Sequence, residues 1–195
     1  MLKKFLFLGV AFLATTAVST LAADSSKIRL LVPVQGTATG EAFTKENSPA
    51  GSIDKVTPSG YSLHYVASAG WGIGYTSHSY EQEEMQGGGT FIFNWDTTYL
   101  DLSYTFGSEM TGQIFYGHQL SQNDIEYTWN GIPQNTIEKD SASGSAIGIN
   151  GGYDFSGFEI LLGYRMESAK FKQVGSTREV DFSRSLISAG VGFSF

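Results

Sequence analysis

The chain has 195 residues, with 12 basic against 19 acidic residues, an aromatic content of 14% and no cysteine. Without cysteine there are no disulfides and no thiolate metal sites, and an acidic balance lacks the basic face that nucleic acid requires. The length suits a single domain, and after the first two dozen residues no run of about 18 apolar residues supplies a transmembrane helix.

The amino-terminal segment reads as a secretory signal peptide over 1–23. Lys3 and Lys4 precede the apolar run 5–14, and small residues continue to Ala22 and Ala23. Taking Lys3 and Lys4 from the 12 basic residues leaves 10 against 19 acidic ones in 24–195, a formal charge of −9.

From there the pattern is period two, the signature of strands. The first strand is expected over 27–39, with Ile28, Leu30, Val32 and Val34 on one face and Lys27, Arg29, Leu31, Pro33 and Gln35 on the other. Pro33 cannot donate a ladder hydrogen bond, which marks an edge or a bulge. Residues 41–57 read as a loop. The second strand, 59–66, turns Tyr61, Leu63 and Tyr65 outward and Ser62 and His64 inward, and 67–70 is a tight turn.

The third and fourth strands form a hairpin. Trp71, Ile73 and Tyr75 alternate with Gly72, Gly74 and Thr76, as Leu100, Leu102, Tyr104 and Phe106 do with Tyr99, Asp101, Ser103 and Thr105. A turn at Gly87-Gly88-Gly89 pairs Trp71 with Phe106, Ile73 with Tyr104, Tyr75 with Leu102, Thr76 with Asp101 and His78 with Tyr99. Such arms exceed the ~9–11 residues that cross a bilayer. Residues 80–95 are therefore expected to project beyond it, with 81–95 as a longer connection carrying Glu81, Glu83 and Glu84.

Residues 107–111 make a short turn. The facing of strand five, 112–121, stays open, because Ile114, Tyr116 and Leu120 compete with Phe115 for the outside. Residues 123–143 are the longest loop, with Tyr127 and Trp129. Strand six, 144–155, sets Ile147, Ile149, Tyr153 and Phe155 against Ala146, Gly148, Asn150, Gly152 and Asp154, and Ser156-Gly157 turns the chain. Strand seven, 158–170, sets Phe158, Ile160, Leu162, Tyr164 and Met166 against Glu159, Leu161, Gly163, Arg165 and Glu167.

A connection at 172–178 leads into the last strand, 180–195, pairing Phe158 with Phe193, Ile160 with Val191, Leu162 with Ala189, Tyr164 with Ile187 and Glu167 with Arg184. Val180 and Phe182 share the parity of Arg184. Either they face a wide upper lumen or the strand has left the bilayer there.

Together these segments predict an all-β fold, an eight-stranded antiparallel up-and-down transmembrane β-barrel. Short turns lie at one end, and the longer connections 41–57, 81–95, 123–143 and 172–178 lie outside the cell at the other. Because lipid offers no partner for backbone groups, the last strand is expected to pair with the first. Trp71, Tyr104, Phe106, Phe155, Phe158, Phe193 and Phe195 suit an aromatic girdle. The inward set Arg29, His64, Asp101, Asp154, Glu159, Arg165, Glu167 and Arg184 is expected to form an ion-paired network, since eight strands enclose only enough room for side chains.

Chemistry is sparse. His64, His78 and His118 lack metal-ligand spacing, so neither metal nor cofactor is expected. Ser77-His78-Ser79 and His118 with Ser121 and Asp124 are the nearest approaches to a nucleophile and its base, but no hydrolase motif surrounds them and no catalytic residue is assigned. Glu81, Glu83, Glu84, Tyr127 and Trp129 are the candidate contacts for an extracellular ligand; otherwise they belong to solvated loops.

The signal segment, the eight alternating stretches and the terminal Phe195 resemble the small outer-membrane barrels of the OmpA/OmpX type. The resemblance implies a monomeric barrel in the bacterial outer membrane, in contact with outer-membrane lipid and lipopolysaccharide, serving envelope integrity, adhesion or host interaction. It also implies that Phe193 and Phe195 belong to the signal read by the barrel-assembly machinery. Three rivals stand beside it: a narrow channel for ions or small solutes, a lipid-modifying enzyme, and a soluble lipocalin-like barrel with its apolar faces turned inward.

Overall fold

The structure, a computed structural model, describes residues 25–40, 57–86, 89–133, 143–172, 177 and 179–195. The signal segment 1–23, most of the connections 41–57 and 172–178, and 134–142 of the connection 123–143 lie outside the described residues. In chain order the strands are β1 (Lys27–Gly40), β2 (Thr57–Val66), β3 (Trp71–Gln86), β4 (Gly89–Phe106), β5 (Met110–Trp129), the two-residue β6 (Ile132–Pro133), β7 (Ser143–Asp154), β8 (Phe158–Lys172) and β9 (Glu179–Ser194). β6 only folds back on the end of β5. The other eight form an antiparallel ring in which sequence neighbours pair and β1 closes on β9.

The short turns sit where the chain offers small residues. Gly70 N donates to Ala67 O at 2.8 Å, and Gly107, Ser156 and Gly157 take φ of 86°, 60° and 111°. At the opposite end β3 and β4 continue as a ladder to Gln86 and Gly89, which pair with each other. Residues 81–86 and 89–95 are thus strand rather than irregular connection, and so is 123–129 within β5. Backbone ladders persist there without a clean apolar alternation, which was the only signal available in sequence.

Register follows the sequence pattern where that pattern is unbroken. β8 and β9 pair Phe158 with Phe193, Ile160 with Val191, Tyr164 with Ile187 and Glu167 with Arg184. β3 and β4 differ from expectation: Trp71 stands opposite Tyr104, Ile73 opposite Leu102, Tyr75 opposite Leu100, Thr76 opposite Tyr99 and His78 opposite Thr97. The ladder closes with Gln86 opposite Gly89, so the hairpin centre lies one residue earlier than the expected pairing places it and the pairing slides by two. A slide of two keeps every side chain on its face.

In β1 the ladder is broken by a bulge between Pro33 and Gln35. Before it Lys27, Arg29 and Leu31 are buried; after it Gly36 and Ala38 are buried and Gln35 is exposed. The extra residue exchanges the parity, so Gln35 does not share the face of Arg29. On β5, Phe115 is buried while Ile114, Tyr116 and Leu120 are exposed, which fixes the facing left open in sequence.

Most of the large apolar side chains are outside. Leu162 is 67% exposed, Val34 59% and Ile149 58%, whereas Glu159, Glu167 and Asp101 are 0% exposed. This arrangement inverts that of a soluble barrel and removes the lipocalin-like alternative. Inside, long side chains lie across glycines of the neighbouring strand. A Cβ on Gly74 would stand 2.6 Å from His64 Nδ1, and one on Gly117 would stand 2.4 Å from Asp101 Oδ1. Small and large residues therefore alternate around the interior, as a narrow barrel requires.

Candidate functional site: the barrel interior

Two groups of charges stand at different heights in the interior, and each is balanced. The first is held near the short turns by the starts of β1 and β8 and the end of β7. Arg29 clasps Glu159 through two bonds, Nε to Oε2 at 2.7 Å and Nη2 to Oε1 at 2.6 Å. The planar guanidinium fork matches a carboxylate in this way, and such paired bonds are among the stronger ones available to side chains. Arg29 also donates to Thr105 and Thr111 at 3.1 Å, and Thr111 donates in turn to Glu159. Lys27 Nζ donates to Asp154 Oδ2 at 2.7 Å and lies 3.7 Å from Glu159. Two cations thus face two carboxylates.

Above it, a hydrogen-bonded layer joins strands through neutral groups. Asn150 donates to Gln113 at 2.6 Å, and Gln113 donates to Ser103 at 3.0 Å.

The second charge group crosses the interior. Arg165 on β8 donates to Asp101 on β4 at 2.9 Å and to Glu167 at 2.6 Å. Arg184 on β9 donates through Nε to Glu167 and through Nη2 to Thr97 at 2.6 Å. His78 Nδ1 donates to Glu167 at 2.9 Å, Thr76 donates to Asp101 at 2.6 Å, and His64 Nε2 lies 3.5 Å from Asp101. Again two arginines meet two carboxylates. Burial without such pairing carries a desolvation cost of several kcal/mol per ion, which the paired charges offset here.

Every ionisable residue expected on the inner face in sequence lies in one of these groups: Arg29, Asp154 and Glu159 in the lower, His64, Asp101, Arg165, Glu167 and Arg184 in the upper. Lys27 and His78 were not counted in the network, although their parity already matched Arg29 and Thr76. Of the aromatic members, Phe182 has an inward facing as one of its two open alternatives, whereas Tyr80, Trp95 and Phe171 are not singled out by the sequence pattern. Tyr80, Trp95, Phe171 and Phe182 are at most 1% exposed and pack as a cluster above Arg184, with Trp95 and Phe182 ring centres 4.1 Å apart. Phe182 therefore faces the interior of a barrel narrow enough for rings to meet. Arg184 lies 4.3 Å from the Trp95 ring centre, and Arg165 lies 4.6 Å from that of Tyr99, distances at which a cation is drawn to a ring face. A cavity beside His64, lined by Leu31, Phe115, Asn150 and Arg165 among others, measures about 10 Å³. That is about the ~10–15 Å³ needed for a single water.

The remaining candidates lie elsewhere. His118 is exposed on the outer face, opposite Leu100 and Ser145, while the Ser121 hydroxyl is bonded to Thr98 at 2.6 Å. The Asp124 side chain lies outside the described residues. Ser77 and Ser79 point away from His78, which is turned inward onto Glu167. Among the described residues no three His, Asp or Glu are grouped to hold a metal ion. Glu81 is exposed at the far end of β3; Glu83 and Glu84 continue that strand and Tyr127 and Trp129 continue β5, but their side chains lie outside the described residues. Phe193 and Phe195 are 56% and 70% exposed at the end of β9, and the Phe193 ring meets Phe158 edge to face at 5.4 Å.

A closed ring of eight antiparallel strands, apolar outside and polar within, defines the class of small β-barrel to which this fold belongs. Among solved structures the chain is similar to Neisserial surface protein A (NspA), at a TM-score of 0.57 and 13% identity over 87% of this chain and 97% of that one. Two structures of Ail, the attachment invasion locus protein of Yersinia pestis, one of them in complex with the heparin analogue sucrose octasulfate, align at a TM-score of 0.38 with 14% and 12% identity, over 87% of this chain and 99% of theirs. At such identities the likeness is one of fold, and at that level the resemblance to the OmpA/OmpX type holds. No protein-family model matches the chain, and no curated protein matches its sequence.

Proposed function

We propose that the protein is an integral barrel of the bacterial outer membrane whose interior is occluded, and that it serves envelope structure or surface contact through its acidic extracellular connections. The observation that carries this reading is the inverted surface. A ring of exposed Ile, Leu, Val and aromatic side chains encloses fully buried, charge-balanced ion pairs. An apolar exterior of this kind is stable in lipid and exposes far too much apolar surface for water.

Occlusion is supported by the Arg165–Glu167–Arg184 group spanning the interior and by the aromatic cluster above it. Glu81, together with Glu83 and Glu84 at the end of β3, gives the far rim an acidic character suited to contact outside the cell. No catalytic role is assigned to His118, whose opposite neighbours Leu100 and Ser145 include no carboxylate to orient it.

The test is reconstitution of the refolded chain into planar bilayers, together with fractionation of cells producing it. The expected outcome is recovery in the outer-membrane fraction with no steady conductance steps. Reproducible single-channel steps would establish the narrow-channel reading instead, and recovery in the aqueous fraction without detergent would end the membrane reading.

A further inference from the structure

On the outer wall, above the apolar band, β3 and β4 carry small polar side chains where neighbouring positions carry large apolar ones. Below the boundary Tyr75 pairs with Leu100; above it Ser77 pairs with Thr98 and Ser79 with Asp96. The change of size leaves a cavity of about 130 Å³ lined by Ser77, His78, Ser79, Asp96, Thr97 and Thr98, roughly ten times the ~10–15 Å³ that seats one water. The inward partners of His78 and Thr97, which are Glu167 and Arg184, do not line it. It therefore opens outward.

Its chemistry is specific. Ser79 donates to Asp96 Oδ1 at 2.5 Å, leaving the second carboxylate oxygen to accept from a ligand, and Thr98 is held by Ser121 at 2.6 Å. Ser77 adds a further hydroxyl. On β2 Tyr61 stands opposite Ser77, and the exposed rings of Tyr61 and Tyr75, 6.3 Å apart, form an aromatic flank beside the lower edge. Hydroxyls, one carboxylate and flanking rings suit a ligand rich in neutral hydroxyl groups with an apolar face. Among the described residues the lining holds a carboxylate and no lysine or arginine, which disfavours a phosphate.

We propose that this cavity binds the neutral sugar of a glycolipid headgroup in the surrounding membrane, a site that rests on the membrane reading above. The occupant is assigned by continuity: Tyr75 and Leu100 directly below, and Tyr61 beside Ser77, are lipid-facing in that reading, so a lipid whose chains lie on this band carries its headgroup to the height of Asp96. Asp96 accepts from sugar hydroxyls and Ser77 donates to or accepts from them.

The experiment uses the full refolded barrel in phosphatidylcholine nanodiscs, with backbone amide shifts followed at 77–79 and 96–98. Insertion into the discs is the separate check on the membrane reading. Monogalactosyl diacylglycerol is then titrated by mole fraction against diacylglycerol, phosphatidylglycerol and free galactose. The expected result is a saturable shift with the galactolipid alone, weakened about tenfold in Asp96→Asn, which retains the Ser79 contact, and abolished in Ser77→Val/Thr98→Val, which fills the cavity with methyl groups. Equal shifts with diacylglycerol or phosphatidylglycerol, or unchanged affinity in both variants, would overturn the proposal. A response to free galactose equal to that to the galactolipid would overturn the lipid assignment.

Discussion

Arg184 and Glu167 stand directly opposite each other on β9 and β8, and the guanidinium Nε donates to the carboxylate deep inside the barrel, where neither residue is more than 2% exposed. Glu167 also receives Arg165, which in turn reaches Asp101, so the upper group holds two positive and two negative charges.

Arg184→Met leaves this group with one uncompensated negative charge, and the expected loss is about 3–5 kcal/mol of unfolding free energy. The double variant Arg184→Met/Glu167→Gln restores neutrality, because Arg165 then balances Asp101. It is expected to be more stable than the single variant. Urea unfolding in lipid vesicles measures both, and a double variant less stable than Arg184→Met would show that charge balance is not what holds the group.

The glycines beneath the long side chains give a second test. A side chain at Gly117 meets Asp101 Oδ1 at 2.4 Å and Arg165 Nη2 at 2.9 Å, groups that their ion pair holds in place. Gly117→Val is therefore expected to cost about 1–3 kcal/mol through overpacking. Gly151 is exposed and a Cβ there meets nothing within 4 Å, so Gly151→Ala is expected to be neutral or slightly stabilising. Equal effects at the two positions in the same unfolding assay would contradict the close approach at Gly117.

These contrasts indicate what sequence could and could not convey. Strict alternation in β8 and β9 fixed both faces and the register down to the Glu167–Arg184 pair, because no bulge interrupts either strand. Three consecutive glycines left the β3–β4 turn centre degenerate, which slid the pairing without changing any face. Phe115 was ambiguous because its direction depends on a partner across the sheet: its ring occupies the space above Gly148, where a Cβ would stand 2.3 Å from Phe115 Cζ. The rule that apolar residues face lipid failed for Tyr80, Trp95, Phe171 and Phe182. Parity held the answer, since Trp95 shares the face of Asp101 and Phe182 that of Arg184, but near the far rim polarity no longer distinguishes inside from outside.

Trp95 anchors that inner aromatic cluster, with ring centres 4.1 Å from Phe182 and 5.6 Å from Phe171 and with Arg184 beneath. Trp95→Ala removes a fully buried ring and is expected to destabilise by about 3–5 kcal/mol. The ion pairs below it remain, so planar-bilayer recordings of this variant are expected to stay free of steady steps. Steps appearing in Trp95→Ala alone would place the barrier to ions in the aromatic cluster and not in the Arg165–Glu167–Arg184 group.

The two tryptophans with opposite environments report directly on the inversion of the barrel. Trp71 is 60% exposed and packs against Tyr104 on the outer face at 5.1 Å, whereas Trp95 is 0% exposed inside. In vesicles of lipids brominated near the headgroup, a Trp95→Phe/Trp129→Phe protein, retaining Trp71, is expected to lose most of its fluorescence. A Trp71→Phe/Trp129→Phe protein, retaining Trp95, is expected to keep it and to resist aqueous iodide as well, because the strand wall separates its ring from lipid and the surrounding cluster separates it from water. Strong quenching of Trp95 by brominated chains would mean that the odd-numbered face of β4 meets lipid, and with it that Asp101 and the ion pairs on the same face are not interior.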